Sequence, residues 1–129
     1  MHTIIQKIET DSFLINNENL RLMELDLINL GISKESLFYE LYTTYYSFAV
    51  GNGTELFSLE QIENYNNSNL EYIIFGCDDG GTLVYNKRND KVLEYASVCS
   101  SNEELELNKY EKEWESFESF LIDYYSEYL

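Results

Sequence analysis

The sequence predicts an α+β fold in a single domain covering residues 1–129. Three observations predict it. Apolar residues recur at helical spacing in three segments. Short β-branched and aromatic runs, separated by turn residues, lie between the second and third of these. Two glycine turns, Gly51-Asn52-Gly53 and Gly76-Cys77-Asp78-Asp79-Gly80-Gly81, punctuate the change from one pattern to the other.

Residues 1–19 stand apart as an N-terminal extension of mixed signals. Ile4, Ile5 and Ile8 have helical spacing, Phe13-Leu14-Ile15 suits a strand, and Asn16 to Asn19 reads as a turn. From there Leu20, Met23, Leu27 and Leu30 form a helical stripe, widened by Leu25 and Ile28 and ended by Gly31. Ser33 is the expected N-cap of a second helix, with Glu35 in its first turn and Leu37, Phe38, Leu41, Tyr45 and Phe48 on one face. That helix is expected to run to Val50, where Gly51, Asn52 and Gly53 close it.

Ser58-Leu59-Glu60-Gln61 fits a capping box and starts a short helix. Leu70 to Phe75 reads as a buried strand. The turn from Gly76 through Gly80 to Gly81 follows, then a strand over Thr82 to Tyr85 and a return strand over Val92 to Val98. In the return strand, Val92, Glu94, Ala96 and Val98 share one face. Ser101-Asn102-Glu103-Glu104 is a second capping-box match. It leads into a closing helix with Trp114, Phe117, Leu121, Tyr124 and Tyr128 on one stripe.

The chain carries 24 Asp and Glu against 8 Lys and Arg, a formal charge of -16. That balance disfavours nucleic acid and anionic membrane surfaces as partners, because both repel it. Two readings of the acidity stand: a solvated acidic surface, or mimicry of nucleic acid toward a basic protein. No apolar run approaches the ~20 residues of a membrane span, and Met1 to Glu9 lacks the pattern of a secretory signal. The expected setting is cytoplasmic, with Cys77 and Cys99 as free thiols.

Chemistry is thinly represented. His2 is the only histidine, so a triad or Cys–His pair lacks its base and most zinc sites lack a ligand. Asp78 and Asp79 beside Cys77 raise rather than lower a thiol pKa. Asp78-Asp79-Gly80 fails the spacing of a calcium loop, and the glycines form neither a P-loop nor a dinucleotide fingerprint. Tyr42, Tyr45 and Tyr46 read either as a pocket lining or as a core edge. No catalytic residue, metal or cofactor is expected.

Five segments together resemble the Smi/Knr branch of the SUKH superfamily. They are Glu24 with Leu30-Gly31-Ile32; the helix ending in Gly51-Asn52-Gly53; Leu56-Phe57-Ser58-Leu59-Glu60-Gln61-Ile62; Ile74-Phe75-Gly76-Cys77-Asp78-Asp79-Gly80-Gly81 ahead of Tyr85; and Ser116-Phe117-Glu118-Ser119-Phe120-Leu121. The branch's Leu-Pro step after the first helix is replaced here by Ser33-Lys34. The resemblance implies a twisted, mostly antiparallel β-sheet flanked by helices. It also implies a role, since many bacterial members neutralise a secreted toxin, often a nuclease. Other members are intracellular regulatory or scaffold domains, and that is the alternative expectation. On the first reading the partner is a basic toxin domain, and its candidate contacts are Glu55, Asp78, Asp79 and Tyr85.

Overall fold

The computed structural model describes residues 5, 12–48, 54–106 and 109–125. Strand β1 (Ser12–Leu14) leads into helix α1 (Asn17–Asn29), then α2 (Leu37–Thr44), β2 (Tyr45–Phe48) and β3 (Thr54–Leu56). Helix α3 (Leu59–Tyr65) precedes a meander of β4 (Tyr72–Asp78), β5 (Gly81–Asn86) and β6 (Val92–Tyr95). A 3₁₀ turn (Asn102–Glu104), β7 (Tyr110–Trp114) and α4 (Phe117–Tyr125) follow. The α+β class is therefore as the sequence predicts. Strands β3-β4-β5-β6-β7 form one antiparallel sheet in chain order, and β1 pairs with β2 in a separate ladder.

Helix α1 starts earlier than the apolar stripe suggests. The Asn16 side chain accepts from Asn19 N–H at 3.0 Å, so the expected turn is an N-cap. Leu27 and Leu30 are buried and Gly31 sits at φ 81 past the helix end. Leu25 and Ile28 do not widen the buried stripe. They face outward, 50% and 43% exposed.

Helix α2 is capped by Ser36, whose hydroxyl accepts from Tyr39 N–H at 3.1 Å, rather than by Ser33. It stops at Thr44, and where the helix is expected to continue, Tyr45–Phe48 form strand β2, with Ala49 and Val50 outside the described residues. The run Thr43-Thr44-Tyr45-Tyr46 explains the switch. β-Branched and aromatic side chains fit a pleated surface better than a helix. Thr43 and Thr44 turn their hydroxyls back onto the carbonyls of Tyr39 and Glu40. Gly51, Asn52 and Gly53 lie outside the described residues.

Helix α3 has the expected capping box: Ser58 N–H donates to Gln61 Oε1 at 2.9 Å and Gln61 N–H to Ser58 Oγ at 3.4 Å. At its far end Asn66 acts as a strand residue. Its side chain accepts from Ile74 N–H at 2.7 Å and donates to Ile74 O at 2.8 Å. This satisfies β4 where its register with β5 shifts between Ile74 and Gly76.

The C-terminal region departs furthest from expectation. The second capping-box match yields only the 3₁₀ turn, and the return strand ends at Tyr95. Trp114 closes strand β7 and does not belong to the last helix. It still packs on that helix, edge-on to Phe120 with centroids 5.1 Å apart. Ser116 caps α4 by accepting from Ser119 N–H at 3.0 Å.

The core is aromatic. Phe38 stacks on Tyr42 and Tyr85 at 4.7 and 4.5 Å and meets Phe75 and Phe117 at 5.8 and 5.0 Å. Helices α2 and α4 thus close one face of the sheet. Tyr42 and Tyr45 are core residues, and only Tyr46 of that trio is exposed. The buried Tyr42 hydroxyl donates to Phe57 O at 2.8 Å and that of Tyr45 to Ile5 O at 3.0 Å.

Candidate functional site

The glycine segment is a two-residue hairpin. Asp79 and Gly80 both have positive φ, 46 and 84, as a tight β-hairpin requires, and Asp-Gly is a preferred pair for it. Gly76 and Gly81 are strand residues with another duty. A Cβ on Gly76 would stand 2.4 Å from Glu55 O, and one on Gly81 2.5 Å from Tyr95 O. Their missing side chains let β4 close on β3 and β5 on β6. Gly80 has open space around its Cβ position and is needed for its φ alone.

Around this hairpin a cleft of about 240 Å³ is lined by Glu55, Phe57, Tyr65, Cys77, Val98 and Cys99, among others. Phe57 and Tyr65 are stacked with centroids 4.9 Å apart. Val98 stands 72% exposed at the edge. Pairing of Glu55 with Cys77 puts the carboxylate on the cleft side, with Cys77 Sγ 4.0 Å from Glu55 Oε2. Burial, then the charges of Glu55 and Asp78, push the Cys77 thiol above its ordinary value. A thiol held protonated is a poor nucleophile.

The alternation of β4 sends Asp78 to the other face. Thr54 Oγ1 donates to Asp78 Oδ1 at 2.6 Å. Asp78 also meets Glu94. Burial, followed by a hydrogen bond to Asp78 and the Asp78 charge, pushes the Glu94 carboxyl up to about 7, against an opposing pull from Lys112. Acids therefore occupy both faces at the hairpin end of the sheet, with Asp79 exposed at its tip.

Glu55, Asp78 and Asp79 are thus brought to one end of the sheet. Tyr85 is not among them. It is 2% exposed, and its hydroxyl donates to Asp90 Oδ1 at 2.7 Å, so its expected role as a partner contact is corrected to a core role. Sequence reasoning missed Glu94, Phe57, Tyr65 and Cys99 as site residues. Glu94 carried a signal, a charge on the same strand face as Val92. The other three had none, because the cleft forms only when α3 and the segment after β6 meet the sheet.

No family model matches the chain, and no curated protein sequence matches it. Among the described residues, no three His, Cys, Asp or Glu side chains are grouped to hold a metal ion, and no helix is long and apolar enough to cross a membrane.

Proposed function

We propose that this chain is a non-catalytic immunity protein of the Smi/Knr type, which binds and neutralises a basic toxin domain in the cytoplasm. The observation that carries the reading is the cleft at the glycine hairpin, with Glu55 in its wall, Asp79 at the hairpin tip, and Asp78 on the opposite face of the same sheet end. Val98 and the half-buried Tyr65, which stacks on the buried Phe57, supply apolar surface for the centre of an interface. The acids supply a field that steers a basic partner and disfavours acidic ones. The raised thiol pKa of Cys77 favours binding over nucleophilic chemistry in the same cleft.

Co-expression tests the reading. A basic toxin domain sought among the neighbouring genes is expressed alone and together with this chain, and the expected outcome is growth arrest by the domain alone and rescue by this chain. Unrelieved arrest, with both proteins soluble and no complex formed, would overturn the immunity reading.

A further inference from the structure

The cleft at the hairpin holds one acid and no base of its own. Glu55 is half-buried in its wall, and no Lys or Arg is among the described residues that line it. The ion pairs among the described residues join Arg88 to Glu71, Lys91 to Glu113, Lys109 to Glu106 and Lys112 to Asp123. None of them includes Glu55. The contact that its carboxylate makes is with the Cys77 thiol, a weak donor, at 4.0 Å. A half-buried carboxylate in that setting lacks the partner that would offset its lost hydration.

The rest of the wall decides which cation suits it. Tyr65 is half-buried and stacks on the buried Phe57, with centroids 4.9 Å apart and the rings 20° from parallel. Val98 stands at the rim, and Cys77 and Cys99 add two thiols. Other polar atoms of the wall are already engaged. Thr82 Oγ1 donates to Ser97 O at 2.7 Å and accepts from Cys99 N–H at 3.1 Å. Gln61 Oε1 accepts from Ser58 N–H at 2.9 Å. A cation entering here exchanges its water for one carboxylate between soft, apolar walls. An ammonium is strongly hydrated, and a single acceptor group replaces little of that water. A guanidinium is more weakly hydrated, and its planar fork meets both oxygens of a carboxylate at once. Its methylene stem packs on apolar and aromatic surface. The cleft's volume of about 240 Å³ is below the ~300–1,000 Å³ of a site for a drug-sized ligand, and suits one long side chain.

We propose that the hairpin cleft seats a single arginine of the partner protein, its guanidinium paired with the Glu55 carboxylate and its stem laid against Tyr65 and Val98. This seat presupposes that the cleft receives a basic partner, as proposed above, and names the side chain that anchors it. Asp79, exposed at the hairpin tip, supplies field rather than contact. Asp78 faces the other side of the sheet, where it accepts from Thr54 Oγ1, and takes no part.

The probe is the capped tripeptide acetyl-Gly-Arg-Gly-amide, titrated into the isotope-labelled full chain and followed by amide chemical shifts. Its controls carry Lys, or citrulline as the neutral isostere, in place of Arg. The expected result is a saturable shift of the amides of Glu55, Cys77, Gly80 and Val98, with the Lys peptide about threefold or more weaker and the citrulline peptide about tenfold or more weaker. Glu55→Gln should weaken the Arg peptide about tenfold or more, whereas Glu115→Gln, an exposed acid outside the cleft, should change it by less than about twofold. Thermal unfolding verifies that both variants fold. No saturable shift, shifts spread evenly over the acidic surface, equal binding of the Lys peptide, or indifference to Glu55→Gln would overturn the proposal. The two readings fail separately. A chain that ignores the peptide yet rescues growth loses the arginine seat alone. A chain that takes the peptide yet neither rescues growth nor binds the toxin domain loses the immunity reading alone.

Discussion

The Tyr85 hydroxyl donates to Asp90 Oδ1 across 2.7 Å, and Asp90 Oδ2 accepts from Phe117 N–H at 3.4 Å. One carboxylate thus ties strand β5 to the first turn of α4, where a negative charge also suits the helix dipole. Asp90 holds φ 66 to do so, in the hairpin loop opposite the Asp79-Gly80 end. Tyr85→Phe should lower stability by about 1.5–3 kcal/mol, the range for a hydrogen bond to a charged group. Urea unfolding measures it. An unchanged midpoint would remove this tie from the account.

The hairpin glycines should rank by mechanism. Gly76→Ala and Gly81→Ala drive a Cβ into backbone carbonyls at 2.4 and 2.5 Å, and backbone cannot rotate away. Each should cost toward the top of the ~1–3 kcal/mol typical of overpacking. Gly80→Ala meets nothing within 4 Å and carries only its φ penalty of about 1–2 kcal/mol. Thermal unfolding of the three variants checks the order. A Gly80 variant less stable than the Gly76 variant would contradict it.

Glu94 makes stability depend on pH. Its folded value of about 7 lies above its ordinary 4.5. Between those values the folded chain holds more proton than the unfolded chain, so this group's contribution is complete below about 4.5 and is lost as pH rises through 7. Burial and then Asp78 drive the loss, Glu111 adds to it, and Lys112 offsets part of it. Glu94→Gln should keep a hydrogen bond to Asp78 without the titration. Its urea midpoint should gain on the wild type between pH 5 and pH 8. A constant difference across that range would contradict the raised Glu94 value.

The sequence makes much of this fold legible, for physical reasons that differ by element. The Ser58 capping box and the Leu20-Met23-Leu27-Leu30 stripe are local signals, and both appear where expected. Strand β2 was hidden because Leu41, Tyr45 and Phe48 keep helical spacing. Only pairing with β1, which hydrogen-bonds across about thirty residues of chain, decides for strand. Trp114 was misplaced for a similar reason. A strand residue that packs against the next helix imitates that helix's own stripe. At the site, the acids of the hairpin were visible in the sequence, whereas the burial of Tyr85 was not. Its tyrosine sits at a strand position whose inward face is set by Phe38 and Phe117.

The central proposal, that the acid-bordered cleft at the hairpin receives a basic protein, is tested most directly by association kinetics with a candidate basic toxin domain sought among the neighbouring genes. Wild-type chain is compared with the Glu55→Gln, Asp79→Asn pair and with Glu115→Gln, an exposed acid beside the opposite hairpin. Exposed charges are screened over ~8 Å at physiological ionic strength. The wild-type association rate should therefore fall steeply with added salt. The hairpin pair should slow association at low salt and flatten that dependence, while Glu115→Gln leaves both unchanged. An association rate indifferent to salt and to the hairpin acids would contradict the account.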